Sequence, residues 1–120
     1  VSAPLYQLKA ELFKNLGHPV RIRVLELLSE REHAVSELLP HAAVEAAYLS
    51  QQLAVLRRAN LVVTRKEGSV VYYSLASPQV AELLKVARAL LTGMLAEKAE
   101  LLADLRAATP ETNSPRRAPS

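Results

Sequence analysis

Apolar residues recur along most of this chain three or four apart, the spacing that places them on one face of a helix. The first such run covers residues 4–16: Leu5, Leu8, Leu12 and Leu16 share a face, Pro4 stands in the first turn, and Gly17 ends it. His18-Pro19 opens a second helix, since proline costs little where the N–H has no partner within the helix. Val20, Val24, Leu27 and Leu28 form its buried stripe, and it runs to about Ser29. After the polar run Glu30 to His33 comes a short third helix carrying Val35, Leu38 and Leu39, limited by Pro40, with Ala42 and Ala43 as the turn behind it. A fourth helix spans residues 45–58, with Leu49, Leu53 and Leu56 on one side. Opposite them lie Ala47, Gln51 and Arg58, flanked by Tyr48 and Ser50. Asn60, a residue type that accepts left-handed backbone angles well, stands just past the helix end.

The pattern then changes. Residues 61–66 and 69–75 are rich in Val, Thr and Tyr and are separated by Glu67-Gly68, so they are expected to form a two-stranded hairpin with a glycine-dependent turn. Two strands alone are marginal in water, and the hairpin must lean on the helices. Ser77-Pro78 supplies an N-cap and a proline at the first helical position of a long helix that extends to about Ala108, roughly 45 Å at 1.5 Å per residue. Along it Val80, Leu84, Ala87, Leu91, Met94, Leu101 and Leu105 alternate three and four apart, with Lys98 the one polar intruder. That stripe is longer than one small domain needs, which points to a second chain rather than to packing within the subunit. Gly93 costs about 1 kcal/mol in a helix interior relative to Ala and marks a close helix approach or a bend. Residues 1–108 are read as one domain. Residues 109–120, with three Pro among Thr, Asn, Ser and two Arg, are read as a disordered tail.

A length of 120 residues suits one core, and an apolar half with 22% charged residues is globular in composition. Apolar stretches are interrupted by Lys, Arg or Glu before a membrane-spanning length, and the N-terminus lacks the charged-then-apolar pattern of a secretion signal, so the expectation is a cytoplasmic protein with no membrane partner. The absence of cysteine excludes disulfides, zinc-thiolate sites and thiol switches. The net charge of +3 is concentrated: residues 51–70 hold Arg57, Arg58, Arg65 and Lys66 against Glu67, and the other charges cancel. A focused positive excess suits a phosphate backbone, where each contact releases condensed counterions. A solvated charged face has the same composition, and charge alone does not decide.

Four helices, a basic hairpin and a long final helix describe a mostly α, winged helix-turn-helix protein. Its fourth helix would fit a major groove, where base edges carry a distinct donor and acceptor code, and its hairpin would reach phosphates or the minor groove. Three segments, Leu-Gly-His-Pro-Val-Arg-Ile-Arg-Val-Leu (16–25), Leu-Ser-Gln-Gln-Leu-Ala-Val-Leu-Arg-Arg-Ala-Asn-Leu-Val (49–62) and Lys-Glu-Gly-Ser-Val-Val-Tyr-Tyr-Ser-Leu (66–75), resemble the ArsR/SmtB transcriptional repressors. The resemblance covers about residues 5–92, and three ordered motifs at compatible spacing carry it.

The resemblance implies a homodimer paired through the first and last helices, with Leu5, Leu8 and Leu12 joining the long-helix stripe. It also implies a repressor of palindromic, double-stranded operator DNA that an inducer releases. Carried over by position, the base-facing residues are Ala46, Ala47, Tyr48, Ser50 and Gln51, with Gln52 at the edge of that surface. Gln51 is the candidate for reading adenine bidentately, and Tyr48 and Ser50 for bases or phosphates. Ala46 and Ala47 stand where the family often has polar residues, which shifts readout toward methyl contacts and DNA shape. Arg65 and Lys66, with Gly68 and Ser69 at the wing tip and Arg57 or Arg58 nearby, would hold the backbone or minor groove.

The family is known for metal sensing, and here its cysteine motif would fall on Ala34 and Ser36, which are not soft-metal ligands. The last helix offers Glu82, Glu97, Glu100 and Asp104 but no histidine, which argues against a tight zinc site. His33 and His41, flanking the third helix, are the remaining metal candidates, while His18 belongs to the helix-start motif and is structural. Nickel or zinc, an organic inducer and a partner protein all stay open as effectors. An enzyme is disfavoured, because there is no glycine-rich phosphate loop, nucleophile elbow, HExxH motif or thiol. The competing reading is a winged-helix protein-interaction module that has lost specific DNA binding, motivated by Ala46-Ala47 and the long helix. Salt dependence of binding separates the two.

Overall fold

In the computed structural model, which describes residues 3–108, the chain runs α1 (Leu5–Leu16), α2 (Pro19–Glu30), β1 (His33–Ala34), α3 (Val35–Ala42), α4 (Ala46–Arg58), β2 (Val62–Glu67), β3 (Val70–Leu75) and α5 (Pro78–Ala108). The expected tail over residues 109–120 lies outside the described residues.

Local chemistry accounts for most boundaries. Gly17 closes α1 by donating its N–H to the Phe13 carbonyl at 2.8 Å. Its φ of −76° needs no glycine, but a Cβ there would stand 3.2 Å from the Phe13 carbonyl oxygen, so space is the constraint. Glu37 reaches back from the first turn of α3 to accept the Ala34 N–H at 2.9 Å, a helix-start contact that also holds the Glu37 carboxyl below its ordinary range. Asn60 adopts the expected left-handed conformation, φ 61°, and Leu61 then donates to the Leu56 carbonyl. Ser77 caps α5 by accepting the Gln79 N–H at 3.1 Å.

Two expectations at this level are corrected. Pro40 does not limit α3; it lies inside it, and the helix continues to Ala42. The proline removes one backbone hydrogen bond, and burial of Leu38 and Ala42 on either side of it holds the turn in place. The helix ends instead at Ala43, in the left-handed region at φ 57°. Secondly, the hairpin is not alone. His33, expected as the end of a polar run, forms a third strand with Ala34, giving an antiparallel sheet of order β1-β3-β2 with His33 opposite Tyr73 and Ala34 opposite Tyr72. A two-residue strand has no readable alternation, and its partner lies far along the chain. The hairpin register runs from Val62 opposite Leu75 to Glu67 opposite Val70. Gly68 and Ser69 are therefore the loop, one residue later than expected, with positive φ at Gly68 alone, the pattern of a II′ turn.

Residues up to Leu84 form one unit and those from Lys85 another. In the first, α2 is the hub, packing on α1, α3, α4 and β3. Val24, Leu25, Leu38, Leu49, Leu53, Leu56 and Val62 are fully buried, and Leu16, Leu27, Leu28 and Leu61 nearly so. Leu25 joins the core although it was not on the expected stripe, and Val20 is only half-buried. Leu12, Val80 and Leu84, expected to pair subunits, pack in part against this core, while Leu5 and Leu8 are exposed. In the second unit α5 continues as a single helix. Its exposed apolar residues, Val86, Leu90, Leu91, Met94, Leu95, Leu101, Leu102 and Leu105, span about half the helix circumference, broader than the expected seam. No helix among the described residues is long and apolar enough to cross a membrane.

Candidate DNA interface

Leu49, Gln52, Leu53 and Leu56 bury one side of α4, which turns Ala47, Gln51 and Arg58 outward together with Ala46 and Ser50. The two flanks of α4 are held by different partners, one by the start of α2 and the other facing the sheet.

On the α2 flank His18 caps its own helix, Nδ1 accepting the Val20 N–H at 3.3 Å, while Nε2 lies 2.9 Å from the Tyr48 hydroxyl in the first turn of α4. Arg21, one turn along α2, donates from Nε to Gln52 Oε1 at 2.8 Å and from a terminal nitrogen to the Asn15 carbonyl at 2.9 Å. Gln52 is therefore not at the edge of a base-facing surface. It is 7% exposed and serves as the buried acceptor that locks α4 to α2. The position carried over from the family resemblance does not show this burial. The guanidinium that covers it comes from 31 residues away.

On the wing, Arg65 is already engaged. Its Nε donates to Glu32 at 3.0 Å, a terminal nitrogen donates to Glu67 at 2.8 Å, and its guanidinium lies 4.5 Å from the centre of the Tyr72 ring, its register partner on β3. The hydrogen bond from Arg65 holds the Glu32 carboxyl below its ordinary range, and Glu32 in turn raises Arg65 further above its own. Arg65, expected to hold the backbone or minor groove, is thus balanced by two carboxylates of its own chain. Lys66 remains exposed on the strand beside it. Glu32 left no signal in the sequence, whereas the cross-strand position of Tyr72 follows once the turn is placed at Gly68-Ser69.

Between the outer face of α4 and the sheet lies a shallow, open cleft of about 470 Å³, lined by Ser50, Ala54, Arg57, Arg58 and Tyr73. Neither Arg57 nor Arg58 has an ion-pair partner among the described residues. The free positive charge of the segment 51–70 therefore sits at the C-terminal end of α4 more than on the wing. Tyr73 contributes a wall that the sequence did not point to.

A family model for bacterial regulatory proteins of the arsR family matches residues 18–64, which contain α2, α3 and α4. Over 107 residues the chain is 54% identical to the HTH-type transcriptional regulator Rv0081 of Mycobacterium tuberculosis, covering 88% of this chain and 94% of that protein. The chain belongs to the arsR family. The crystal structure of Rv0081 superposes with a TM-score of 0.76 over 82% of this chain and 99% of that one. The BigR repressor of Xylella fastidiosa gives a TM-score of 0.67 at 34% identity, covering 71% of this chain and 87% of that one. A homodimeric winged helix-turn-helix domain of Mycobacterium bovis gives 0.69 at 28% identity, covering 76% and 84%. Relatives named as repressors and one named as an activator both occur. This arsR-family chain is a winged helix-turn-helix transcriptional regulator.

The three histidines sit in separate local settings. His33 is 4% exposed and donates from Nδ1 to the Arg31 carbonyl at 2.9 Å, with its strand paired to β3. His41 is exposed near the end of α3, and among the described residues no three His, Asp or Glu side chains are grouped so as to hold an ion. His18 is engaged in the helix cap and with Tyr48.

Proposed function

We propose that the protein acts in the cytoplasm as a homodimeric repressor that binds a palindromic operator through α4 and the cleft beside it, with an effector modulating that binding. One observation carries the reading: an exposed α4 face, with Ser50 and Gln51 at its centre, adjoins a cleft holding two arginines that have no carboxylate partner among the described residues. Double-stranded DNA supplies what each surface lacks, base edges for the helix face and phosphates for the arginines. The dimer is supported by the apolar side chains exposed on α1, Leu5, Tyr6, Leu8 and Phe13, and on α5 beyond Lys85. Burying a leucine-sized side chain is worth about 1.5–3 kcal/mol, so a second copy covering several of them is strongly favoured. The homodimeric state of the Mycobacterium bovis relative supports the same assembly. A two-fold protein reads a two-fold DNA site.

The test is fluorescence anisotropy with the metal-free protein and its own upstream promoter DNA, in excess nonspecific competitor, followed by titration with nickel and zinc. Saturable binding of one dimer per palindrome is the expected result, and a promoter-reporter assay then reads the sign of control. Sequence-blind or salt-insensitive binding would move the assignment to a winged-helix protein-interaction module.

A further inference from the structure

We propose that His18 is a positioning residue for DNA recognition: by donating from Nε2–H to the Tyr48 hydroxyl oxygen, it leaves the Tyr48 proton for an acceptor on DNA. The inference rests on the operator-binding reading above and deepens it.

The argument begins at the helix cap. The Val20 N–H donates to His18 Nδ1 at 3.3 Å, and a ring nitrogen that accepts a hydrogen bond carries no proton. The neutral ring is then protonated at Nε2. That nitrogen lies 2.9 Å from the Tyr48 hydroxyl, so the imidazole is the donor and the phenol oxygen the acceptor. The Tyr48 proton is turned off His18 and is available outside. Tyr48 is the third residue of α4, in the part of the recognition helix that meets base edges in this architecture, and it is 36% exposed. A hydroxyl held as a donor suits a phosphate oxygen, a purine N7, guanine O6 or thymine O4, and it opposes the amino groups of cytosine and adenine. One imidazole thus caps the start of α2 and sets the polarity of a side chain on α4.

Two measurements test this on the full chain. Long-range proton–nitrogen NMR of the DNA-free protein reads the His18 tautomer directly. Protonation at Nε2 is expected, and protonation at Nδ1 would overturn the proposal. Operator affinity and thermal stability are then measured for Tyr48→Phe, His18→Asn and the double variant. Asparagine is among the best N-caps but is too short to reach Tyr48, so it separates capping from positioning. Tyr48→Phe should weaken binding about tenfold per protomer, and His18→Asn about threefold, at near-unchanged stability. The double variant should be no weaker than Tyr48→Phe alone. Operators carrying 7-deazapurines distinguish a base N7 from a phosphate as the acceptor. Unchanged affinity in Tyr48→Phe, or an equal effect of His18→Asn with and without the hydroxyl, would reduce the pair to a helix–helix tie and leave operator binding standing. Absence of specific binding by the unsubstituted protein would remove the operator reading itself.

Discussion

Arg21 and Gln52 meet across the junction of α2 and α4, the guanidinium Nε donating to the amide oxygen at 2.8 Å. The same guanidinium holds the Asn15 carbonyl in the last turn of α1, so one side chain links three helices and meets the recognition helix at its middle. A carbonyl there has no partner within its helix, which is why a cation at that end is favourable.

Arg21→Met keeps the aliphatic stem but strands the buried Gln52 amide. An unsatisfied buried polar group costs about 1–3 kcal/mol, and urea denaturation should show a loss in that range. Gln52→Leu, which removes the polar group itself, should be better tolerated in the Arg21→Met background than in the native one.

The arginines should differ in their salt signatures. Each phosphate contact contributes about −0.9 to the slope of log affinity against log salt. Arg57→Ala with Arg58→Ala should flatten that slope by about 1.8 per protomer if both meet phosphates. Arg65→Ala should change it less, because Glu32 and Glu67 already balance that guanidinium. Glu32→Gln should strengthen DNA binding and steepen the slope by releasing Arg65.

The Glu32–Arg65 pair should also impose a pH dependence on stability. Glu32 has its folded-state pKa lowered by the Arg65 hydrogen bond, so its contribution is fully present above the ordinary carboxylate pKa. It is lost as pH falls through the lowered value. Glu37, lowered by the Ala34 N–H, acts in the same direction. Melting temperatures of Glu32→Gln and Glu37→Gln should lie below the native value at neutral pH and converge with it under acid conditions.

Gly93 separates a helix that stands alone from one that is crossed by a partner. Among the described residues nothing lies within 4 Å of where its Cβ would stand, and α5 runs through it without interruption. Alanine there should raise helix stability by about 1 kcal/mol. If a second copy crosses at this point, Gly93→Ala should instead weaken dimerisation in sedimentation equilibrium, whereas Leu91→Glu should weaken it wherever the crossing lies.

The boundaries of the helices were legible because their determinants are local. Pro19 and Pro78 start helices, Asn60 ends one in the left-handed region, and Leu49, Leu53 and Leu56 recur at helical spacing, each effect acting within a turn or two of chain. The hairpin followed from Gly68 and from residue types that favour strands, with an error of one residue at the turn. The outer face of α4 was equally readable, since its buried side fixes the opposite one.

Pro40 misled because a local preference was outweighed by the burial of Leu38 and Ala42, which only the packed core provides. His33–Ala34 became a strand because Tyr72 and Tyr73, some forty residues later, brought a sheet edge to it. What the sequence by itself determined was the set of elements, their amphipathic sides and the family they resemble, all written in neighbours within a few residues. What only the tertiary structure decided was the state of individual polar groups: Gln52 buried, Arg65 balanced, Arg57 and Arg58 without carboxylate partners among the described residues, and the Tyr48 hydroxyl set against His18. Those outcomes depend on hydrogen bonds of short range in space between residues some thirty positions apart in sequence, and their strength is set by the water that folding excludes.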